Sequence, residues 1–196
     1  MREVVGQNRA QKEARQRLVQ AALELFGTKG YHQTTIGEIA KKACYSRNLV
    51  HYYFDSKEEI GYAAIDEELR ALFDQGAVSH LRSDEHPIDR LSRALDAMPT
   101  GFQAGTDAAL RIASVHEGFH KRLMEGVDQA DQQVEEIVRR GVADGQIADS
   151  VDPQVLAHMF ITMGLGIHAA PLLHGRQVIW EDARHWLKEY LNSLRK

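Results

Sequence analysis

The chain has 196 residues, 43% of them hydrophobic and 27% charged, with one cysteine and a formal net charge of −4. That composition excludes a disordered chain and a disulfide framework. No apolar run approaches the roughly 20 residues that a membrane-spanning helix needs.

The apolar pattern is helical almost throughout, and no segment alternates with period two over a strand's length. The polar start, MREVVGQNRAQKEARQR, lacks the apolar core of a secretory signal. With the lone cysteine, this predicts a cytoplasmic protein. A first stripe runs through Leu18, Ala21, Ala22, Leu25 and Phe26, and Gly30 stands where a helix-ending glycine belongs. Thr35 with Glu38 reads as a capping box, followed by Ile36, Ile39, Ala40 and Ala43 on one face. Ser46 can cap a third short helix. Ser56 with Glu59 forms a second box, opening a helix through Ile60, Leu69, Leu72 and Phe73. The four prolines, Pro87, Pro99, Pro153 and Pro171, are expected at helix edges, with Asp152 capping a helix whose first residue is Pro153. Leu123 to Gly145 is amphipathic. Val155 to Ile167 is apolar nearly all round, which predicts a helix buried on two sides. A last helix carries Trp180, Ala183, Leu187, Tyr190, Leu191 and Leu194.

The segment ACYSRNLVHYYF, residues 43–54, carries the sharpest functional signal. At 3.6 residues per turn, Arg47, Asn48, His51 and Tyr52 share one side of a helix, and Leu49, Val50, Tyr53 and Phe54 share the other. A helix this short is marginal alone, so its apolar side must dock on a scaffold. The polar side then projects groups that suit DNA, since Arg forks onto guanine, Asn pairs with adenine, and His or Tyr bonds phosphate. Two short helices joined by a turn, the second polar outside, follow the helix-turn-helix plan. Charge agrees: residues 1–57 hold ten Lys/Arg against five Asp/Glu, whereas residues 58–196 hold fourteen against twenty-three. A basic head on an acidic body points the head toward a polyanion.

The stretch RLVQAALELFGTKGYHQTTIGEIAKKACYSRNLVHYYFDSKEEI resembles the DNA-binding domain of the TetR family of bacterial transcriptional regulators. The resemblance rests on AALELF with KGY, on TTIGEIA, on the serine opening the third helix, and on YYFDSKEE. It implies an all-α fold: a three-helix helix-turn-helix domain, residues 1–57, on a helical effector-binding and dimerisation domain, residues 58–196. By position it implies base contacts from Arg47 and Asn48, and phosphate contacts from Thr35, Ser46, Tyr52, Tyr53 and Lys57. His51 stands where the family usually has tyrosine and can still bond phosphate. Arg9, Lys12 and Arg15 are placed to reach adjacent backbone. Two further departures are Asn48, where glycine is usual, and Cys44, in a turn where glycine is usual. At Cys44 either the backbone takes another course or the turn tolerates strain.

In the body, HEGFH, residues 116–120, matches the zinc-hydrolase pattern, with His116 and His120 as ligands and Glu117 as base. KRLMEG, downstream, lacks a third histidine, and Gly118 is expected to break the required helix. The bland reading is a solvated helix start. Effector-pocket candidates are Phe102, Leu110, His116, Phe119, His120, Met124, Phe160 and Met163, though an apolar residue at helical spacing is more often plain core. Ala157, Gly164 and His168, with Trp180, Trp186 and Tyr190, are expected at a homodimer interface. The motifs call for no cofactor and no metal. The reading is therefore a DNA-binding dimeric repressor, not an enzyme. It sits on a near-palindromic double-stranded operator and is released by a small apolar effector. The alternatives are a zinc hydrolase and a DNA-bound structural protein without effector.

Overall fold

The computed structural model describes residues 2–71, 85–97, 106–174 and 178–196. Among them lie nine helices: α1 (Arg2–Lys29), α2 (Ile36–Lys42), α3 (Arg47–Tyr53), α4 (Lys57–Leu69), α5 (Pro87–Ala97), α6 (Thr106–Ala113), α7 (Glu117–Ala143), α8 (Pro153–His174) and α9 (Val178–Ser193). Among the described residues no strand occurs beyond one isolated bridge between Ile147 and Arg195. None of the described helices is long and apolar enough to cross a membrane. Leu72, Phe73, Pro99 and Phe102 lie outside the described residues.

Two compact units divide the chain, one formed by Met1–Glu68 with Ala104–Leu123 and the other by Leu69–Gln103 with Met124–Lys196. In the first, α1 packs on α2 and α6, and α2 packs on α3. Leu18, Ala22 and Phe26 are buried as the stripe predicts, but Leu23 is buried where Leu25 is only half-buried. Leu23 belongs to a second flank of the helix, because α1 has neighbours on two sides. Val50 and Phe54 anchor α3, with almost no exposure. Burying two such side chains contributes about 2 kcal/mol each, which holds a seven-residue helix that would not persist alone.

Local signals set the helix ends. Gly30 takes φ +90° and its N–H reaches Phe26 O at 3.1 Å. Thr35 and Glu38 form the reciprocal box. The Ser56 box is displaced: Ser56 Oγ accepts from Glu59 N at 3.1 Å, but the Glu59 carboxylate accepts from the N–H of Asp55, not Ser56. Asp152 Oδ1 accepts from Gln154 N and Val155 N at 2.9 and 3.1 Å, and Pro153 opens α8. Pro87 likewise opens α5. Pro171 falls in the last turn of α8.

In the second unit, α9 packs on α5 and α8. Leu91 and Leu95 of α5, Leu187 and Leu191 of α9, and Leu156 and Phe160 of α8 are buried. Lys188 pairs with Asp96 at 2.5 Å, and Arg195 pairs with Asp89. Within its own chain helix α8 is covered on one face. One face, Leu156, Ala157, Phe160, Ile161 and Gly164, is buried; the opposite face, Val155, Met159, Thr162 and Gly166, is exposed. Its apolarity exceeds what its own chain covers.

Candidate nucleic-acid interface

The interface is built from the α2 cap outward. Thr35 Oγ1 accepts from Glu38 N at 3.2 Å, and Glu38 Oε2 accepts from Thr35 N at 2.9 Å and from the Thr35 hydroxyl at 2.8 Å. Lys29 bonds the same carboxylate, and with these donors it holds the Glu38 carboxyl down to about 2. Lys42 pairs with Glu24 at 2.6 Å, tying α2 to α1 a second time.

The turn into α3 is a Schellman motif. Cys44 N bonds Lys41 O at 3.2 Å, and Tyr45 N reaches back to Ala40 O at 2.9 Å. The motif needs a left-handed residue between helix and exit, and Cys44 fills that position at φ +61°. Of the two courses open to Cys44, the chain takes the strained one. Its side chain is exposed and unbonded to any other cysteine.

Ser46 then caps α3, its Oγ accepting from Leu49 N at 3.3 Å, which leaves its hydroxyl hydrogen available. Arg47, Asn48, His51 and Tyr52 are exposed on one side, Tyr52 at 68%. Tyr53 is half-buried, its ring edge-on to Tyr52 with centroids 5.0 Å apart. The division of faces expected from the helical wheel is therefore present.

Two basic residues sit differently from a simple phosphate-contact reading. Lys57 is half-buried, and its ammonium donates to Tyr31 O and Thr34 O at 3.1 Å and to His32 O at 3.5 Å, 4.5 Å from the Tyr31 ring centroid. Three carbonyls match the three donors of an ammonium, so Lys57 braces the turn between α1 and α2. Arg15 lies over the Phe54 ring, 5.0 Å from its centroid, and clamps α3. Lys12 is exposed; the Arg9 side chain lies outside the described residues. The brace was invisible in the sequence because it depends on three carbonyls 23 to 26 residues away converging on one point.

The histidine motif resolves into a helix start. Helix α7 begins at Glu117, so His116 precedes it and His120 lies within its first turn. His116 Nδ1 accepts from Gly118 N at 3.1 Å, the role of an N-cap; His86 Nδ1 does the same for Ile88 N at the start of α5. Gly118 does not break the helix. A Cβ there would lie 2.2 Å from the Tyr62 hydroxyl and 3.1 Å from the His116 ring, so a side chain at this position would displace both. Among the described residues no cluster of three or more His, Cys, Asp or Glu has the arrangement to hold a metal.

The effector candidates divide between the two units. Leu110, His116, Phe119 and His120 belong to the first unit, and Met124, Phe160 and Met163 to the second. Leu110, His116, His120 and Met124 are exposed, Met163 is half-buried, and Phe160 is core. Phe119 is fully buried against Gly61, Tyr31 and Tyr62, with ring centroids 5.2 Å from Tyr31 and 4.8 Å from Tyr62. Of the expected dimer residues, Ala157 and Gly164 are buried within their own unit. Trp186 is 55% exposed and stacks on Tyr190 with centroids 5.7 Å apart. The His168 and Trp180 side chains lie outside the described residues.

Comparison with known proteins agrees with this geometry. Residues 18–63 match the model of bacterial regulatory proteins of the tetR family, and residues 106–187 match the tetracyclin repressor-like C-terminal domain. The transcriptional regulator HbdR of Aromatoleum sp. is 25% identical, the match covering 89% of this chain and 76% of that protein. SrpR of Pseudomonas putida is 28% identical, with 76% of this chain and 70% of that protein covered. A TetR regulator structure from Chloroflexus aurantiacus superposes with a TM-score of 0.78 at 22% identity, covering 95% of this chain and 98% of that one. A Saccharomonospora viridis regulator, solved in complex with choline, gives 0.74 at 22% identity, covering 92% and 96%. These named relatives are regulators, not enzymes. Two family models spanning head and body, over a helix-turn-helix whose reading face is exposed and polar, place the chain in the TetR family of DNA-binding transcriptional regulators.

Proposed function

We propose that the protein is a dimeric repressor of a near-palindromic operator, released by a small apolar effector, acting in the cytoplasm. The outward face of α3 carries the reading: Arg47, Asn48, His51 and Tyr52 are all exposed on one side of a helix that its neighbours hold firmly. Arg47 and Asn48 read bases. Ser46, His51 and Tyr52 bond phosphates, with the Thr35 cap and Tyr53 beside them, while Lys57 supports the turn behind. The head, residues 1–57, delivers this face and the body, residues 58–196, carries pairing and effector.

Two heads one helical turn of DNA apart require two-fold symmetry. The pairing surface is the exposed face of α8, Val155 and Met159, with Trp186 and Tyr190 of α9. His168 and Trp180 are assigned to the same interface from the sequence alone. The effector binds in the body, with Phe160 and Met163 as its apolar walls. It favours a geometry whose heads are wrongly spaced, and by linkage DNA weakens effector binding by the same factor. The choline bound to the Saccharomonospora viridis protein supports a small-molecule effector here as a class, without naming it.

The test is selection of DNA from random sequence by the purified protein, followed by titration at several salt concentrations. The expected result is an enriched near-palindrome whose affinity falls steeply with salt. Binding that selects no sequence would refute the repressor reading.

A further inference from the structure

Gly37 is the second residue of a seven-residue helix, α2, where glycine costs helix stability relative to alanine. The other close-packed helix glycines explain themselves. A Cβ on Gly61, Gly118, Gly126 or Gly141 would lie under 3.0 Å from a side chain already packed there. Gly37 has no such clash. A Cβ there would lie at ordinary contact distance, 3.7 Å from Cδ and 3.9 Å from Nε of Arg47, the first residue of the reading helix. What lies over Gly37 is therefore the exposed stem of a DNA-facing arginine, not the core.

We infer that the small size of position 37 is a specificity-determining positioning feature, a shelf on α2 with room for a Cβ and little more that fixes where the Arg47 guanidinium reaches. Among the described residues no carboxylate or carbonyl takes the guanidinium: the nearby Glu38 carboxylate is bound by Lys29 and Thr35. Its donors stay available while its stem is laid down. A long side chain otherwise loses much rotamer freedom on binding, and ordering it beforehand lowers that cost. It also restricts which base edge the fork can meet. A methyl group fits over this shelf; a longer side chain at position 37 would fill the course of the stem and lift it.

The inference rests on α3 being the reading helix, and the experiment separates the two. Gly37→Ala, Gly37→Leu and Gly37→Gln are made in the natural protein and in Arg47→Ala, and each is titrated against the selected operator and its single-base variants. Gly37→Ala is expected to keep affinity within about twofold, with unchanged base preference and a higher Tm. Gly37→Leu and Gly37→Gln are expected to weaken binding about tenfold and flatten preference at the bases Arg47 reads, the size of one good base contact. Both should change binding less than about twofold when Arg47 is already alanine. Equal losses in both backgrounds would mean that the new side chain meets DNA itself, and would overturn the shelf. So would unchanged preference in Gly37→Leu and Gly37→Gln. Gly37→Gln is polar and helix-compatible, so it carries the test if Gly37→Leu fails to fold. A natural protein that selects no sequence sinks the reading-helix assignment, not the shelf alone.

Discussion

Helices α3 and α8 each expose a face that their own chain leaves uncovered, and the two faces are chemical opposites. On α3 it is Arg47, Asn48, His51 and Tyr52; on α8 it is Val155, Met159, Thr162 and Gly166. The first costs little in water and gains when its donors meet a polyanion. The second leaves Val155 55% exposed on a helix whose other face already fills the core, and gains only by meeting more apolar surface. Exposed side-chain chemistry, more than helix length or propensity, separates the helix proposed to face DNA from the one proposed to pair with its copy.

Breaking the apolar face should have the larger effect. Met159→Asp places a charge where a partner helix is expected, and sedimentation should show monomers at concentrations where the natural protein is paired. Operator affinity should fall on the order of a hundredfold, since one head loses the help of the other. Breaking the polar face is smaller and cleaner. Arg47→Ala should lower operator affinity by about ten- to a hundredfold while Tm and sedimentation stay unchanged. If Met159→Asp leaves the oligomeric state untouched, the contrast between the faces does not extend to self-pairing.

Lys57 sharpens the contrast from behind the reading face. Lys57→Met removes the donor shared by Tyr31, His32 and Thr34 carbonyls and should cost about 1–2 kcal/mol of stability in denaturant titration. The salt dependence of operator binding should keep its slope. A slope shallower by about one would make Lys57 a phosphate contact instead.

How much of this was legible in the sequence depends on whether the cause was local. The caps at Thr35, Ser46 and Asp152 were, because a serine, threonine or aspartate meets an N–H two or three residues on. The two faces of α3 were, because one helix has one period. The Lys57 brace was not, nor was the burial of Ala157 and Gly164 on the inner side of α8, because α8 is apolar nearly all round and, among its described side chains, only three polar residues, Gln154, His158 and Thr162, mark its outer side. The same holds for the pocket candidates: Phe119 and Phe160 are both large and apolar, and only tertiary packing assigns them to different units.

Two smaller tests probe what holds α2 and α3 in place. The turns after α2 and α7 share one hydrogen-bond pattern, closed by Cys44 at φ +61° and by Gly145 at φ +70°. Cys44→Gly should therefore stabilise the protein by up to about 1 kcal/mol, read as a higher denaturant midpoint, with operator affinity unchanged. The smallest effect concerns Glu38, whose folded carboxyl stands at about 2 against an ordinary 4.5, held down first by Lys29 and then by Thr35. A depressed carboxyl contributes stability above its unfolded value and loses it as pH falls through the folded one. The natural protein should therefore lose a small increment of stability between about pH 4.5 and pH 2, and Glu38→Gln, which keeps a side-chain acceptor for the cap but cannot titrate, should lose less over that window. Parallel thermal melts at pH 5 and pH 3 check this, and identical pH dependence in the two proteins would remove Glu38 from the electrostatics of the cap.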